Sequence, residues 1–439
     1  MGVKQTTSLT DRDAAIIWHP YTQHKTAMMP LPIVKGEGVY LIDETGNKYI
    51  DAISSWWTNL HGHAHPYIAQ RIFQQAQQLE HVIFAGCTHE PAVQLAERLL
   101  PLLPGNFSKI FYSDNGSTAV EVALKMAIQY WKNVTGSGSV AADSRRLKTS
   151  NQRPEARNKI LALKHSYHGD TFGAMSVSGR GIFTITFEDY LFDVIFIEPD
   201  GEWSTVNSGW EKIACFIYEP MVQGAGGINM YDTGFLNGLL KLCRQKNIIC
   251  IADEVMTGFY RTGKMFASEY LEERPDIICL SKGLTGGTLP LAITASTQKI
   301  FDAFLSDDLR QTFFHGHSYT ANPISCSAAL ASLDLLEKEE CRENIKYISE
   351  NNHLFVQQLK ENKKVINPRS LGTILAFEFH STEKEYLAKG KEETMQLALQ
   401  QGVLIRPLGN TVYIMPPYCI TPIQLKKVFS TLQVVIDKI

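Results

Sequence analysis

The dominant pattern in the chain is a set of short apolar runs, rich in β-branched residues, between residues 160 and 296. Runs at 160–164, 193–197, 213–218, 248–253, 277–281 and 292–296 have strand length and are bounded by polar or turn residues. Stretches with one apolar face, such as 235–246, stand between some of them. That rhythm predicts an α/β fold with a mainly parallel sheet and helices on both faces. Upstream, 38–51 reads as a β-hairpin and 67–103 as helical. Residues 109–113 read as a strand running into a long helix, with Val120, Ala123, Leu124, Ala127, Ile128 and Trp131 on its inner side. Downstream, a small-residue helix over 324–336 leads through an acidic patch into helices and short strands, which predict a smaller α+β domain. The sequence shows no internal repeat.

Two of the strand runs lead into charges that matter together. The run at 277–281 stops at Ser281-Lys282 and passes into the glycine-rich turn Gly283-Leu284-Thr285-Gly286-Gly287. Open α/β sheets bind ligands at the carboxyl ends of their strands. An amine held there among apolar neighbours has a lowered pKa and is a nucleophile toward a carbonyl. Taken by itself, Ser-Lys-Gly equally describes a surface lysine opening a loop. The run at 248–253 ends in Asp253-Glu254, and a carboxylate at the end of a buried strand needs a partner. Read alone, Asp253 is a helix cap or half of an ion pair. Together, Lys282 and Asp253 match the two groups that pyridoxal phosphate enzymes use: an amine to carry the cofactor and an acid to keep its ring nitrogen protonated.

Other segments carry double readings. Gly116-Ser117-Thr118 opens the long helix with free amides, hydroxyls and the positive dipole end, which make either a phosphate site or a plain N-cap. The loops 165–171 and 219–227 follow strands on the expected ligand side. In 311–323, Gly316 and Ser318 either hold a phosphate oxygen or make a turn. Arg406 follows a nearly apolar run and needs an anion, either a ligand carboxylate or a protein acid. The aromatic cluster Trp18-His19-Pro20-Tyr21 suits a pocket wall, a subunit contact or a pinned terminal arm. His61, His63 and His65 lack an acid or cysteine at ligand spacing, so no metal is assigned to them. The basic stretch 134–158 reads as a solvated insertion, with polyanion binding as its alternative.

Composition narrows the class. With 439 residues the chain has room for a large core and two or three domains. A net charge of −3 gives no sign of a nucleic acid or anionic membrane partner. The eight cysteines are scattered, without paired spacing, and read as free thiols of a reducing compartment. No signal-like apolar segment follows Met1 and no run has membrane-spanning length, so a cytoplasmic enzyme is expected.

Lys282 in Ser-Lys-Gly-Leu-Thr-Gly-Gly, Asp253 in Ile-Ala-Asp-Glu-Val, Gly116-Ser117 and Glu219-Pro220 resemble the class III pyridoxal-phosphate-dependent aminotransferases, along essentially the whole chain. The resemblance implies the type I aminotransferase fold, with 1–59 and 336–439 forming a small domain around a large domain at 60–335. It also implies a homodimer with active sites at the subunit interface. Lys282 would hold pyridoxal 5'-phosphate and move protons, and Asp253 would pair with the ring nitrogen. Gly116 and Ser117 would bind the phosphate, with Ser318 and His317 reaching in from the other subunit. Tyr167 would stack near the ring and contact substrate. Tyr21, Trp56, Gly316 and Arg406 would contact substrate, Arg406 gripping a carboxylate and Tyr413 completing that wall.

Within the family, Trp18-His19-Pro20-Tyr21-Thr22, Ser54-Ser55-Trp56-Trp57, Tyr167-His168-Gly169-Asp170-Thr171, the stretch 222–231 and Ile405-Arg406-Pro407 are similar to a biotin-synthesis branch. That branch carries an amino group from S-adenosylmethionine to 8-amino-7-oxononanoate. A lysine-using variant would look the same here. The rival expectations are a transaminase of ornithine, 4-aminobutyrate or another ω-amine, against which Trp56-Trp57 and Arg406 speak, a pyridoxal phosphate aminomutase, and a non-enzymatic cofactor- or nucleotide-binding protein. Two departures stand out: His317-Ser318 replaces the expected Pro-Thr, keeping a hydroxyl, and the 134–158 insertion is longer than the pattern.

Overall fold

The computed structural model of the chain describes residues 8–135, 157–199, 201, 209–380 and 390–439. Its centre is a seven-stranded sheet in the order Phe107–Ser113, Ala292–Thr297, Ile277–Leu280, Ile249–Asp253, Ile213–Tyr218, Lys159–Leu163, Ile195–Ile197. The central strands Ile213–Tyr218, Ile249–Asp253 and Ile277–Leu280 are buried along their whole length because both faces are covered. Alternate residues feed two separate cores: Ile249, Ile251, Ile277 and Cys279 pack with Val120, Ala123 and Ala127 of the helix Gly116–Val134, while Cys250, Ala252, Ile278 and Leu280 face the opposite core.

The mainly parallel reading holds, with one exception. Ala292–Thr297 runs antiparallel to both of its neighbours. Only a 3₁₀ turn, Lys282–Thr285, lies between it and Ile277–Leu280, and parallel pairing needs a longer crossover. The expected continuous helicity over 67–103 is corrected: Pro66–Gln78 and Glu90–Leu99 are helices, with a non-helical link between them. Proline stands in the first turn of each, where its missing N–H costs nothing.

The first and last parts of the chain meet in a smaller sheet. Ile33–Glu37, Tyr40–Asp43 and Lys48–Asp51 form an antiparallel meander, and Val403–Leu404 adds in parallel, pairing Val403 with Ile50. A third sheet contains Val365–Leu371, Ile374–Phe379 and Thr411–Ile414. The helix Pro323–Leu336 is buried nearly all round. Its small residues Ala328 and Ala331 pack against Ile68 of the helix Pro66–Gln78.

Most of the basic insertion, 136–156, lies outside the described residues. Arg157 does not belong to an exposed stretch as expected. Its guanidinium lies 4.2 Å from the Trp131 ring and donates to the carbonyls of Ile213 and Lys246 at 3.1 and 3.0 Å. All eight cysteines are free thiols. No helix among the described residues is long and apolar enough to cross a membrane.

Candidate active site

Parallel strands deliver their carboxyl ends to one edge, and the polar residues gather there. The strand Ile249–Asp253 ends in Asp253, Ile213–Tyr218 in Glu219, and Ile277–Leu280 in Ser281-Lys282. The loop after Lys159–Leu163 brings Tyr167 and His168. With Gly116 and Ser117 at the head of the long helix, these residues line a cavity of about 740 Å³, together with Trp57, Val255 and Met256.

Asp253 is 4% exposed. One of its oxygens accepts from Nδ1–H of His168 at 2.7 Å and the other from the Val255 amide at 3.1 Å. Two such donors satisfy both oxygens of a buried carboxylate. The neighbouring acid serves the scaffold instead. Glu254 is fully buried and accepts from the Thr257 hydroxyl and the amides of Ala267 and Ser268, bracing the loop beyond the strand. Glu219 accepts from the amides of Tyr167 and Gly224 at 3.0 and 2.9 Å. Burial pushes its pKa up to about 7; His168 opposes the rise and Asp253 adds to it.

Lys282 is half-buried, and its backbone is held at φ 20°. Burial pulls its pKa below the ordinary lysine value, against the opposing charges of Asp253 and Glu219. Its Nζ lies 5.1 Å from the Trp57 ring centre.

At the head of the helix Gly116–Val134, the Asn115 side chain accepts from the Thr118 amide at 3.0 Å, and the amides of Gly116 and Ser117 precede the first intrahelical bonds. The space in front of them is tight. A Cβ at Gly116 would stand 2.6 Å from Val255, and one at Gly169 would stand 2.3 Å from the Ser117 hydroxyl. Glycine at these two positions leaves a cradle of backbone donors, and a phosphate monoester fits its chemistry. Lys282 and Asp253 line the same cavity.

The opposite end is built on a strained turn. Ser54, Ser55, Trp56 and Trp57 have φ of 51°, 46°, 71° and 74°, a left-handed run of four residues without glycine. Such backbone costs about 1–2 kcal/mol per residue. Side chains hold it in place: Ser55 donates to Asp51 at 2.8 Å, Ser54 to the Met415 carbonyl at 2.7 Å, and the buried Arg261 guanidinium to the Trp57 carbonyl at 3.1 Å. The turn sends consecutive tryptophans to two cations. Trp57 faces Lys282, and Trp56 lies 4.8 Å from the Arg406 guanidinium, whose buried Nε has no hydrogen-bond partner among the described residues. Tyr21 packs edge-on to Trp56 and hydrogen-bonds Asp170, with the Tyr167 hydroxyl 3.1 Å away. Burial and that bond push the Tyr167 pKa far above the ordinary tyrosine value.

Lys282, Asp253, Tyr167, Gly116 and Ser117 therefore share one cavity, and Tyr21, Trp56 and Arg406 stand in one chain of contacts beside it. Tyr413 is 1% exposed and sits behind Trp57, ring centres 6.0 Å apart. Gly316, His317 and Ser318 are elsewhere, on a loop anchored by Phe313 against Phe111 and by His315 at 3.0 Å from Lys125. His61 and His63 are separately engaged, by Ser332 at 3.0 Å and Asp51 at 2.9 Å. Sequence pattern alone assigns no role to His168, Glu219, Trp57 or Asp170, although each lies in a loop or turn that the pattern marks.

An amine and an acid at the ends of adjacent parallel strands, facing an anion cradle, are the marks of one enzyme class. Residues 21–436 match the model of class-III aminotransferases, and the chain belongs to that family. It is similar to the adenosylmethionine-8-amino-7-oxononanoate aminotransferase of Synechococcus elongatus, 45% identical over 96% of this chain and 99% of that protein. The enzyme of the same name from Staphylococcus aureus is 37% identical over 94% of this chain and 93% of its own length. Among solved structures, that aminotransferase from Methanocaldococcus jannaschii superposes with a TM-score of 0.89 at 37% identity, covering 98% of both chains. A PLP-bound amine transaminase from an uncultivated Pseudomonas species gives 0.86 at 29% identity, covering 96% of this chain and 98% of its own.

Proposed function

We propose that the chain transfers the amino group of S-adenosylmethionine to 8-amino-7-oxononanoate, giving 7,8-diaminononanoate, with pyridoxal 5'-phosphate as cofactor. The observation that carries this reading is the pair of tryptophans. Trp57 faces the reacting amine of Lys282, and Trp56 backs Arg406, whose buried Nε is unpartnered among the described residues. This end of the site suits an acceptor with an apolar chain and a terminal carboxylate. The near-full-length similarity to enzymes named for that reaction supports the same conclusion.

The bound cofactor supplies an aldehyde and a protonated ring able to take up the electron pair left when a proton leaves the amine-bearing carbon. Lys282 holds it and, with its pKa lowered by burial, accepts and returns that proton. Asp253, held in place by His168 and the Val255 amide, pairs with the ring nitrogen. Gly116 and Ser117 hold the phosphate through backbone amides and a hydroxyl. Tyr167 and Tyr21 wall the ring and substrate, and Arg406 takes the carboxylate.

The working form is a homodimer. Gly316, His317 and Ser318 lie outside the cavity of their own subunit, on a loop whose Phe314 and Tyr319 are 73% and 66% exposed. Packing against a second copy covers those rings and brings Ser318, with His317 beside it, to the partner's phosphate. The eight free thiols suit the reducing cytoplasm.

The test is the visible spectrum of the cofactor-loaded protein on adding S-adenosylmethionine alone. Bleaching of the visible band is expected. An unchanged spectrum would overturn the donor assignment, and bleaching by lysine or an ω-amine instead would move the chain to another branch of the family.

A further inference from the structure

Glu121 lies four residues beyond Ser117 on the helix Gly116–Val134, on the same face. One of its oxygens accepts three hydrogen bonds: from the Thr171 hydroxyl at 2.6 Å and from the amides of Gly173 and Ala174 at 2.7 and 3.1 Å. A carboxylate only accepts, so the Thr171 proton is committed to Glu121. The Thr171 oxygen is then an acceptor only, 2.7 Å from the Ser117 oxygen, and the Thr171 amide holds that oxygen at 3.0 Å, so the single Ser117 proton points to Thr171 until a phosphate oxygen takes it instead. The packing leaves no slack. A Cβ at Gly173 would fall 2.1 Å from Glu121, and one at Gly169 would fall 2.3 Å from Ser117. Among the described residues, no lysine, arginine or histidine forms an ion pair with Glu121. Beside a phosphate dianion such a charge is unfavourable by Coulomb's law. Its use is therefore geometric.

We infer that Glu121 is a positioning residue for the cofactor's phosphate. Through Thr171 it sets the Ser117 hydroxyl and ties the loop that carries Tyr167 and His168 to the phosphate-binding end of the helix. This rests on the assignment of Gly116 and Ser117 as the phosphate cradle.

The test compares the affinity of the apoprotein for pyridoxal phosphate and for pyridoxal, which lacks the phosphate, by quenching of tryptophan fluorescence. Glu121→Gln keeps the acceptor oxygen and removes the charge; Glu121→Ala removes both. Glu121→Ala is expected to bind pyridoxal phosphate roughly tenfold more weakly, the worth of about one hydrogen bond, with pyridoxal affinity unchanged. Glu121→Gln is expected to bind as tightly as the wild type or tighter. Three results would overturn the inference: an unaffected Ala variant, an Ala variant that loses both ligands equally, or a Gln variant as weak as the Ala one. Ser117→Ala separates the two levels. If it leaves the preference for the phosphorylated ligand intact, the cradle assignment itself fails; if it lowers that preference and Glu121→Ala does not, only the role of Glu121 fails.

Discussion

Nδ1 of His168 lies 2.7 Å from a carboxylate oxygen of Asp253, and both side chains are buried, at 3% and 4% exposure. The two residues come from the ends of different strands and are eighty-five positions apart in the chain. His168 and the Val255 amide donate to the two oxygens of Asp253 and so fix how this carboxylate faces the cavity.

Removing the imidazole leaves that carboxylate buried and under-solvated. His168→Ala is expected to destabilise the apoprotein by about 1–3 kcal/mol, the usual scale for leaving a buried acceptor without its donor. Asp253→Asn in the same background should recover part of that loss, because it removes the stranded charge. Urea unfolding of the single and double variants checks this; no recovery would mean that His168 acts by packing alone.

Lys282→Ala should abolish transamination without unfolding the protein. The lysine is desolvated and its charge is disfavoured where it stands, so alanine removes a cost as well as a group. The expected melting temperature equals or exceeds that of the wild-type apoprotein. Residual turnover near the wild-type rate would remove Lys282 from the mechanism.

Arg406→Met should raise KM for 8-amino-7-oxononanoate by roughly tenfold to a hundredfold, the worth of a charged hydrogen bond to a carboxylate. The methyl ester of the same substrate should show much less difference between variant and wild type. Steady-state kinetics with both substrates distinguishes a carboxylate grip from a contribution to the packing of Trp56.

Glu219 predicts a pH dependence. Its pKa in the folded chain, raised by burial to about 7, lies above its ordinary value of 4.5. Between those values the folded state keeps a proton that the unfolded chain releases, so this group's contribution to stability falls as pH rises through that window. Glu219→Gln has nothing to ionise. Its stability relative to wild type should therefore rise between pH 4.5 and 7, by roughly 1–3 kcal/mol. Parallel melts of the two apoproteins measure it, and a flat difference would show that Glu219 does not titrate there.

What could be read in the chain depended on whether a signal was local. Lys282 and Asp253 were legible because each ends an apolar strand, and a charge at such a boundary is visible without knowing its partners. His168, inside a loop, carries no such mark, and Glu219, although it follows an apolar run, shows no partner in the sequence. Their meaning comes from Asp253 and from the Tyr167 and Gly224 amides, contacts created when separate strands align at one edge. The direction of Ala292–Thr297 was hidden for a related reason: a strand buried on both faces has the same apolar pattern whichever way it runs. Arg157 looked like one more charge of a basic stretch, and only the neighbouring Trp131 ring gives it a structural place.

The left-handed turn at Ser54–Trp57 makes two recognition elements into one mechanical part. Because Trp56 and Trp57 are neighbours in the chain, a shift of the whole turn displaces the ring beside Lys282 and the ring beside Arg406 together. The positions of the two rings are thereby coupled to one another. If Arg406 takes the acceptor's carboxylate as proposed, a lineage drifting toward longer or shorter acceptors is served by exchanging the rings or moving Arg406, not by shifting this turn.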